Sequence, residues 1–478
     1  MLNKSSIKNN YIYNVIYQIL LVLTPLITRP YLSKVFGADG IGRISFVESI
    51  ASYFMLFAAL GINTYGQREI SYYQDDKIKT SEVFYNTFVL KLITSLVVLI
   101  TYILLSIYCF KSYIYLAFAV SIISVLVDIT WFFSGIEDFF SIVTRNVFFK
   151  ILSIIYIFVF IKTKDDMVLY CISIGLFTLL SNLSLFPLLN KYLVKIDIKK
   201  IQPFKNFNIV LSLFLPTIAI QIYTVLDKTM IGLITKSEFE NGYYEQSIKI
   251  SRFLLLIVTA LGTVTVPRVA YYYEKKDDKK LKELIYNSYR FVLMISIPMA
   301  LGLYAISDNL VHWFLGSDFN KSIILLKIVS FIIIFIGLSN VTGIQYLVPT
   351  NKQNKLTFSV VIGAIINFSL NLVLINLYKS IGAAISSVIA ECVIALIQFY
   401  IVKDEISLIK VLKNAVKYFV SAVCMFCIIM IIAKYLDSSF INTIIITIVG
   451  SIIYFAILII LKDDFLLDKL PLHKKYID

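Results

Sequence analysis

The stretch FYNTFVLKLITSLVVLITYILLSI, residues 84–107, is an apolar run that contains a single charged residue, Lys91. An α-helix rises about 1.5 Å per residue, so about 20 apolar residues cross a hydrocarbon core that is about 30 Å thick. About fourteen segments of this kind follow one another between Tyr11 and Leu461, separated by short polar breaks. The sequence therefore predicts an all-α polytopic membrane protein with about fourteen transmembrane helices.

The composition points to the same class of protein. Hydrophobic residues make up 59% of the 478 residues, whereas soluble domains contain roughly 45–50%. Each apolar segment is predicted to be a helix, because lipid offers no hydrogen-bonding partner to an open strand edge. The predicted spans are residues 11–33, 42–64, 84–107, 113–135, 143–161, 167–190, 207–234, 244–268, 288–308, 322–347, 357–378, 381–402, 413–435 and 439–461.

The 44 Lys and Arg residues are distributed unevenly between the two sides of the predicted bundle. With the N-terminus inside, about 28 of them fall inside and about ten outside, as the positive-inside rule describes. The formal net charge of +14 is therefore explained by topology, and both termini are predicted to be cytoplasmic. No break between spans is long enough to fold a nucleic-acid-binding module, so nucleic acid is excluded as a partner.

An internal repeat relates the two halves of the chain. Residues 25–50, PLITRPYLSKVFGADGIGRISFVESI, resemble residues 223–250, YTVLDKTMIGLITKSEFENGYYEQSIKI. The repeat is six spans long, an even number, which keeps the orientation in the membrane and predicts two parallel six-helix repeats forming two lobes around a central cavity. The last two helices are extra. The predicted domains are an N-terminal lobe at 1–190, a cytoplasmic linker at 191–206, a C-terminal lobe at 207–402, and helices 13 and 14 with a cytoplasmic tail at 403–478.

Charged residues within the spans are candidates for function, because a charge inside a bilayer is costly. Arg29, Glu48, Asp227, Lys228 and Arg252 all fall in the outer halves of the helices that repeat. Two lobes facing each other across a cavity would bring these residues together as a net positive site, suited to a pyrophosphate. Arg29, Lys228 and Arg252 are therefore the candidate substrate-binding residues. The alternative is that Arg29–Glu48 and Asp227–Arg252 are ion pairs that lock helices together.

Glu48 and Asp227 are also candidates for ion pairing, or for coupling transport to an ion gradient. Three further intramembrane charges are candidates for the same two roles. Lys91 and Asp128 lie in the inner halves of the third and fourth spans, where they either pair with each other or one of them titrates during transport. Glu391 lies near the middle of the twelfth span with no obvious partner in the sequence, so desolvation could keep it protonated.

Signatures of soluble enzymes are missing from the sequence. The glycine-rich run 37–42 follows no strand, so we interpret it as a tight turn between helices. There is no Walker A sequence, and two histidines, His312 and His473, are too few for a histidine metal cage or a typical catalytic triad. We therefore predict no catalytic residue, no metal site, no cofactor and no enzymatic activity.

Five sequence blocks resemble a known family. They are ITRPYLSKVFGADGIGRISFVESIASYF (27–54), ALGINTYGQREIS (59–71), VLDKTMIGLITKSEFENGYYEQSIKI (225–250), LGTVTVPRVAYYYEKKD (261–277) and GAIINFSLNLVLINLYKSIGAAISSVIAE (363–391). Together they resemble bacterial polysaccharide repeat-unit flippases, for O-antigen or capsule, of the multidrug/oligosaccharidyl-lipid/polysaccharide exporter superfamily. The resemblance extends over residues 10–400, with the blocks in the same order.

The resemblance implies a fourteen-helix, two-lobed transporter in the bacterial cytoplasmic membrane. Such a protein moves an undecaprenyl-pyrophosphate-linked oligosaccharide from the cytoplasmic to the outer leaflet by alternating access, for O-antigen, capsule or exopolysaccharide biosynthesis. A proton or sodium gradient is the implied driving force. The implied partners are the lipid-linked oligosaccharide, membrane lipids, and a polysaccharide polymerase with its chain-length machinery.

Two other transporters of the same superfamily are alternatives. A cation-coupled multidrug antiporter would favour carboxylates in the cavity, whereas cations outnumber carboxylates in the predicted cluster. A peptidoglycan-precursor flippase shares the lipid pyrophosphate chemistry, although the sequence blocks favour the O-antigen or capsule branch. A membrane polymerase or ligase would need a long external loop, and the predicted outside breaks are short.

Overall fold

The computed structural model of the protein describes the backbone of residues 7–197, 199 and 201–467. Side chains are described for the same residues except 7–23, 215, 216, 219, 220, 222, 223 and 263. Within these limits the chain is almost entirely helical and contains no strand, which confirms the prediction of an all-α protein.

The chain divides into two compact units, Met1–Thr229 and Met230–Asp478. The boundary lies inside a helix, and the predicted linker 191–206 precedes that helix within the first unit. The helices of the first unit, the last of which continues past the boundary, are α1 (Ile7–Ala59), α2 (Ile62–Tyr73), α3 (Lys77–Leu105), α4 (Tyr113–Leu126), α5 (Thr130–Gly135), α6 (Phe139–Phe160), α7 (Met167–Leu183) and α8 (Phe207–Thr235).

The second unit has a similar order of elements, followed by two long helices that pack with α11. Its helices are α9 (Glu238–Thr259), α10 (Gly262–Glu274), α11 (Asp278–Phe314), α12 (Asn320–Val329), α13 (Ile332–Ser339), α14 (Gln353–Tyr378), α15 (Ser380–Ile401), α16 (Leu408–Tyr435), α17 (Phe440–Ile460) and α18 (Asp464–Leu467). Short π-helical stretches follow α3, at Ser106–Phe110, and α13, at Asn340–Leu347.

Helical structure is found at each of the fourteen predicted positions, but the number of membrane spans differs from the prediction. By length and hydropathy, ten of the described helices could cross a membrane, or up to twelve if each of two bent helix pairs is one span. The first two predicted spans contribute a single segment, Thr24–Tyr73, to this count. The count of fourteen is therefore not confirmed, whereas a multi-pass membrane protein is.

Positive backbone φ angles separate the first helical segments. Gly37 interrupts α1 with φ 69°, and Gly61 separates α1 from α2 with φ 70°. Residues with a Cβ atom rarely adopt this conformation, whereas glycine does so at little steric cost. The turn between the first two predicted spans therefore lies at Gly37, within the glycine-rich run that the sequence analysis interpreted as a tight turn.

The repeat extends beyond the segments compared in the sequence. Residues 59–61 and 260–262 both read Ala-Leu-Gly, and in each unit they mark the change from a long helix to a short one. The next helix is then directly preceded by an aspartate, Asp76 or Asp277, whose side chain accepts a hydrogen bond from the backbone of the first turn. Such N-caps satisfy backbone N–H groups that have no partner within the helix.

Aromatic packing holds α2, α3 and α5 together. The Phe84 ring centroid lies 5.6 Å from that of Trp131 and 5.1 Å from that of Phe132, and all three side chains are buried. Ile70 of α2 belongs to the same buried cluster. This packing fixes α3, which carries the buried Lys91 described below.

Each unit also contains an acidic residue that contacts the start of a later helix. In the first unit, Asp39 lies 3.0 Å from Lys164, which begins the short helical turn Lys164–Asp166 directly before α7. In the second unit, the buried Glu240 carboxylate lies 2.6 Å from Lys321 and accepts a hydrogen bond of 3.2 Å from the Ser380 backbone N–H, at the start of α15. A negative charge is favourable beside the N-terminus of a helix.

Candidate functional site

Helices α1 and α8 are joined by a cluster of hydroxyl groups in the first unit. The Thr229 hydroxyl lies 3.0 Å from the Ser49 hydroxyl and 3.1 Å from the Tyr53 hydroxyl. These hydrogen bonds connect the second arm of α1, after Gly37, with the part of α8 that belongs to the first unit. In a membrane bundle, hydroxyl pairs of this kind favour one register of the two helices.

The same contact region contains three of the predicted site residues. Asp227 and Lys228 immediately precede Thr229, and both are close enough to interact electrostatically with the Tyr53 hydroxyl. Glu48 immediately precedes Ser49 and is half-buried. The structure therefore places Glu48, Asp227 and Lys228 in neighbouring segments of α1 and α8. Glu48 makes no ion pair with any residue whose side chain is described.

Arg29 and Arg252 lie elsewhere in the chain. Arg29 is half-buried in the first arm of α1, before the break at Gly37. Arg252 belongs to the second unit, where its side chain is exposed on α9 and makes no hydrogen bond or ion pair with the residues that the structure describes. One turn earlier on α9, Lys249 forms an ion pair with Glu245.

Lys91 and Asp128 form an ion pair in the interior of the first unit. The Lys91 side chain is completely buried, and its Nζ lies 3.5 Å from Asp128 Oδ2. Nζ also donates hydrogen bonds to Asn63 Oδ1 at 3.0 Å and to the Asp128 backbone carbonyl at 2.7 Å. The Thr130 backbone N–H donates to Asp128 Oδ1 at 2.9 Å. Of the two alternatives for these residues, the geometry corresponds to pairing.

Arg145 extends this polar network to α6 and α7, and the sequence analysis did not identify it. The Arg145 side chain is buried, and its Nη1 donates to the Ser181 carbonyl at 2.6 Å and to Asn182 Oδ1 at 2.9 Å. Its Nη2 donates to the Thr130 hydroxyl, which places Arg145 beside Asp128. Arg145 lies within the predicted span 143–161, so the rule that selects intramembrane charges would have found it.

Glu391 is buried on α15 in the second unit and takes part in an interaction there, so it is not isolated. The neighbouring helix α14 carries the buried residues Asn367 and Asn371, and Asn371 Nδ2 donates to Asn367 Oδ1 at 3.2 Å. No group of three or more His, Cys, Asp or Glu side chains suited to a metal ion is found among the residues described.

Long apolar helices with charged and hydroxyl side chains in their interior define a multi-pass membrane protein rather than a membrane anchor. The chain belongs to the polysaccharide biosynthesis protein family, whose family model matches residues 7–273. A second family model, MatE, matches residues 213–373. The predicted membership of the polysaccharide branch of the multidrug/oligosaccharidyl-lipid/polysaccharide exporter superfamily is confirmed.

Two curated proteins illustrate the relationship. A protein named "Putative O-antigen transporter" from Escherichia coli (strain K12) is 23% identical over 84% of this chain and 98% of its own length. A protein named "Probable low-salt glycan biosynthesis flippase Agl15" from Haloferax volcanii is 24% identical over 39% of each chain. These relatives are named as transporters and flippases, and this protein is accordingly a transporter and not an enzyme.

Solved structures share the fold. The lipid II flippase MurJ in its inward closed conformation superposes with a TM-score of 0.72 at 16% identity, covering 96% of this chain and 99% of MurJ. An inward-facing multidrug resistance MATE family transporter of the MOP superfamily gives a TM-score of 0.59 at 15% identity, covering 82% of this chain and 95% of the transporter. At these identities the similarity concerns the fold alone.

Proposed function

We propose that this protein flips an undecaprenyl-pyrophosphate-linked oligosaccharide repeat unit from the cytoplasmic to the outer leaflet of a bacterial cytoplasmic membrane. The cargo would be a unit of O-antigen, capsule or exopolysaccharide, delivered to a polymerase and its chain-length machinery. The observation that carries the proposal is the alignment with the relative named an O-antigen transporter, which extends over 98% of that protein. The interior charges supply a chemistry suited to such a cargo.

In the proposed mechanism, Arg29, Lys228 and Arg252 bind the pyrophosphate during alternating access. A guanidinium can donate to two phosphate oxygens at once, whereas an ammonium acts as a compact point charge. The hydrogen bonds of Thr229 to Ser49 and Tyr53 position Lys228, because they fix the adjoining turn of α8 against α1. Three cationic side chains around the head group would therefore favour an anionic lipid over a cationic drug.

A proton or sodium gradient would drive transport, with no cofactor required. The coupling candidates are Glu48, Asp227, Lys91, Asp128 and Glu391. Lys91 and Asp128 already satisfy each other within a hydrogen-bonded network, which favours a structural role for that pair. Glu48, Asp227 and Glu391 are therefore the stronger candidates for the group that changes protonation or binds a cation.

Deleting the gene tests the function. We expect surface polysaccharide to disappear and growth to continue, and a plasmid copy of the gene should restore the surface polysaccharide. A blocked flippase leaves undecaprenyl carrier bound to repeat units that cannot be delivered. The deletion should therefore be made in a strain that lacks the glycosyltransferase that starts the repeat unit. Expression of that glycosyltransferase should then be induced. Lipid-linked repeat units should then accumulate in the deletion strain.

The MurJ-like fold makes a peptidoglycan-precursor flippase the second candidate. That function predicts loss of viability even in the strain that makes no repeat unit, because the cell wall could not be extended. A multidrug antiporter predicts a third result, in which drug sensitivity rises and surface polysaccharide is unchanged. Either result would contradict the proposal.

The proposed topology places the 269–287 segment and both termini in the cytoplasm. Lys279 and Asp318 are both exposed, so a cysteine at either position would be open to a thiol reagent on its own side. In intact cells, an impermeant maleimide should label Asp318→Cys and spare Lys279→Cys, and permeabilisation should make both reactive. The background must lack the native cysteines, of which Cys109, Cys424 and Cys427 are exposed. The opposite labelling pattern would invert the topology.

A further inference from the structure

The first unit contains a polar cavity of about 250 Å³ between α1, α6 and α7. Its wall includes Thr24 and Thr28 of α1, Asn146 and Lys150 of α6, and the Ser181–Asn182 pair of α7. Among the lining residues whose side chains the structure describes, none is a carboxylate and Lys150 is the single charged residue. The polar part of the wall is therefore electropositive, and the cavity lies among helices long enough to span a membrane.

Lys150 lies deep within its helix. It is near the midpoint of α6, Phe139–Phe160, about 15 Å along the helix axis from either end at 1.5 Å per residue. Its Nζ makes no hydrogen bond or ion pair with any side chain that the structure describes. A lone ammonium at this depth is costly unless an anion or a strong hydrogen-bond acceptor compensates it.

Asn146 presents a second donor on the same face of α6. Residues four apart on a helix are neighbours, so the Asn146 amide lies one turn from Lys150. The Ser181 hydroxyl donates to Asn146 Oδ1 at 3.2 Å, which leaves Asn146 Nδ2 available as a donor. The Ser173 and Thr178 hydroxyls lining α7 donate to backbone carbonyls of their own helix. The uncommitted hydrogen-bond donors of this wall thus include Lys150 Nζ and Asn146 Nδ2.

Arg145 does not line the cavity, but its positive charge lies next to two residues that do. Its guanidinium donates to the Ser181 carbonyl and to Asn182 Oδ1, and both of these residues line the cavity. Asp128 lies close enough to interact electrostatically with Arg145, but it already pairs with Lys91. The electrostatics of the network therefore favour negative charge in the cavity.

We propose that this cavity binds a small inorganic anion of chloride size, held by the Lys150 ammonium and the Asn146 amide. The volume far exceeds the about 10–15 Å³ that one water molecule requires, so an anion with part of its hydration shell fits. The test below separates a free anion from a lipid phosphate, because only the free anion differs between the two salt solutions. The bound anion would connect α6 and α7 with the segment of α1 that precedes Arg29.

The test is the thermal stability of the full-length protein in detergent, measured in sodium chloride and in sodium gluconate at equal ionic strength. We expect the unfolding temperature to rise with chloride and to saturate, because a ligand that binds only the folded state stabilises it by mass action. Bromide should substitute for chloride, and its anomalous scattering should locate it beside Lys150 in a crystal. The absence of a chloride-dependent rise in the wild type would overturn the proposal.

Two variants assign the effect to the cavity. Lys150→Met should abolish the chloride response while the protein still folds, since it removes a charge that lacks a counter-ion. Asn146→Leu should weaken the chloride-dependent rise in unfolding temperature several-fold. This variant still tests the site if Lys150→Met protein fails to accumulate. The matched control is Lys191→Met, at an exposed lysine outside the cavity, which should keep the full response. A full response in Lys150→Met would place the anion elsewhere.

Discussion

Replacing Arg252 with alanine is expected to lower surface polysaccharide at least about tenfold, while the protein accumulates normally in the membrane. Hydrogen bonds to a charged partner contribute about 1.5–3 kcal/mol, which corresponds to roughly 10- to 150-fold in affinity. The Arg252 side chain is exposed on α9 and has no partner among the described residues, so its removal breaks no contact that supports the fold. Surface polysaccharide should be measured in the deletion strain at matched protein level.

Three further variants distinguish substrate binding from ion pairing. Arg252→Lys should restore activity only in part, because the charge is kept and the two-pronged donor is lost. Arg268→Ala, at an exposed arginine on α10, is the matched control and should export normally. If Arg252→Ala protein is degraded, ion pairing with Asp227 is favoured. The double change Asp227→Asn with Arg252→Gln should then recover stability and export together, whereas substrate binding predicts recovery of stability alone.

Replacing Asp128 with leucine is expected to destabilise the first unit by about 3–5 kcal/mol, the usual effect of breaking a buried ion pair. The completely buried Lys91 ammonium would keep the Asn63 amide and a backbone carbonyl as partners but would lose its counter-charge. Thermal unfolding in detergent measures the effect. The control is the double variant Lys91→Met with Asp128→Leu, which should recover most of the lost stability because the buried ammonium is removed together with its counter-charge.

The double variant also separates the two roles considered for this pair. If Lys91 and Asp128 are structural, the stabilised double variant should export polysaccharide at a rate close to that of the wild type. If one of them carries the coupling proton, the variant should be stable and inactive. A double variant as unstable as Asp128→Leu alone would show that the ion pair is not what the single change disrupts.

The helices and the interior charges could be predicted from the sequence because both follow from local composition. An apolar run such as residues 84–107 has few alternatives to a helix in lipid, and a lysine within it is conspicuous. The turn at Gly37 was likewise visible as a glycine-rich run. These features depend on residues that are neighbours in the chain.

The partners of those charges could not be predicted, because they depend on how distant helices pack. Arg145 contacts Ser181 and Asn182 on another helix, and nothing in its neighbourhood in the sequence indicates this. Glu240 accepts a hydrogen bond from Ser380, which is 140 residues away. The number of spans differs from the prediction because, for example, the two spans predicted on either side of Gly37 form the single helical segment Thr24–Tyr73.

The two contacts between an acidic residue and the start of a later helix differ in their access to water. In the first unit the side chains of Lys164 and Asp39 are 57% and 34% exposed, whereas in the second those of Lys321 and Glu240 are 29% and 8% exposed. Dissolved ions screen exposed charges over about 10 Å at 0.1 M and about 3 Å at 1 M, and they screen buried pairs much less. Concentrated salt should therefore weaken the Asp39–Lys164 ion pair of the first unit and leave the Glu240–Lys321 ion pair of the second unit largely unchanged. The two units, which share an order of helices, would then differ in how their stability responds to the salt concentration around the cell.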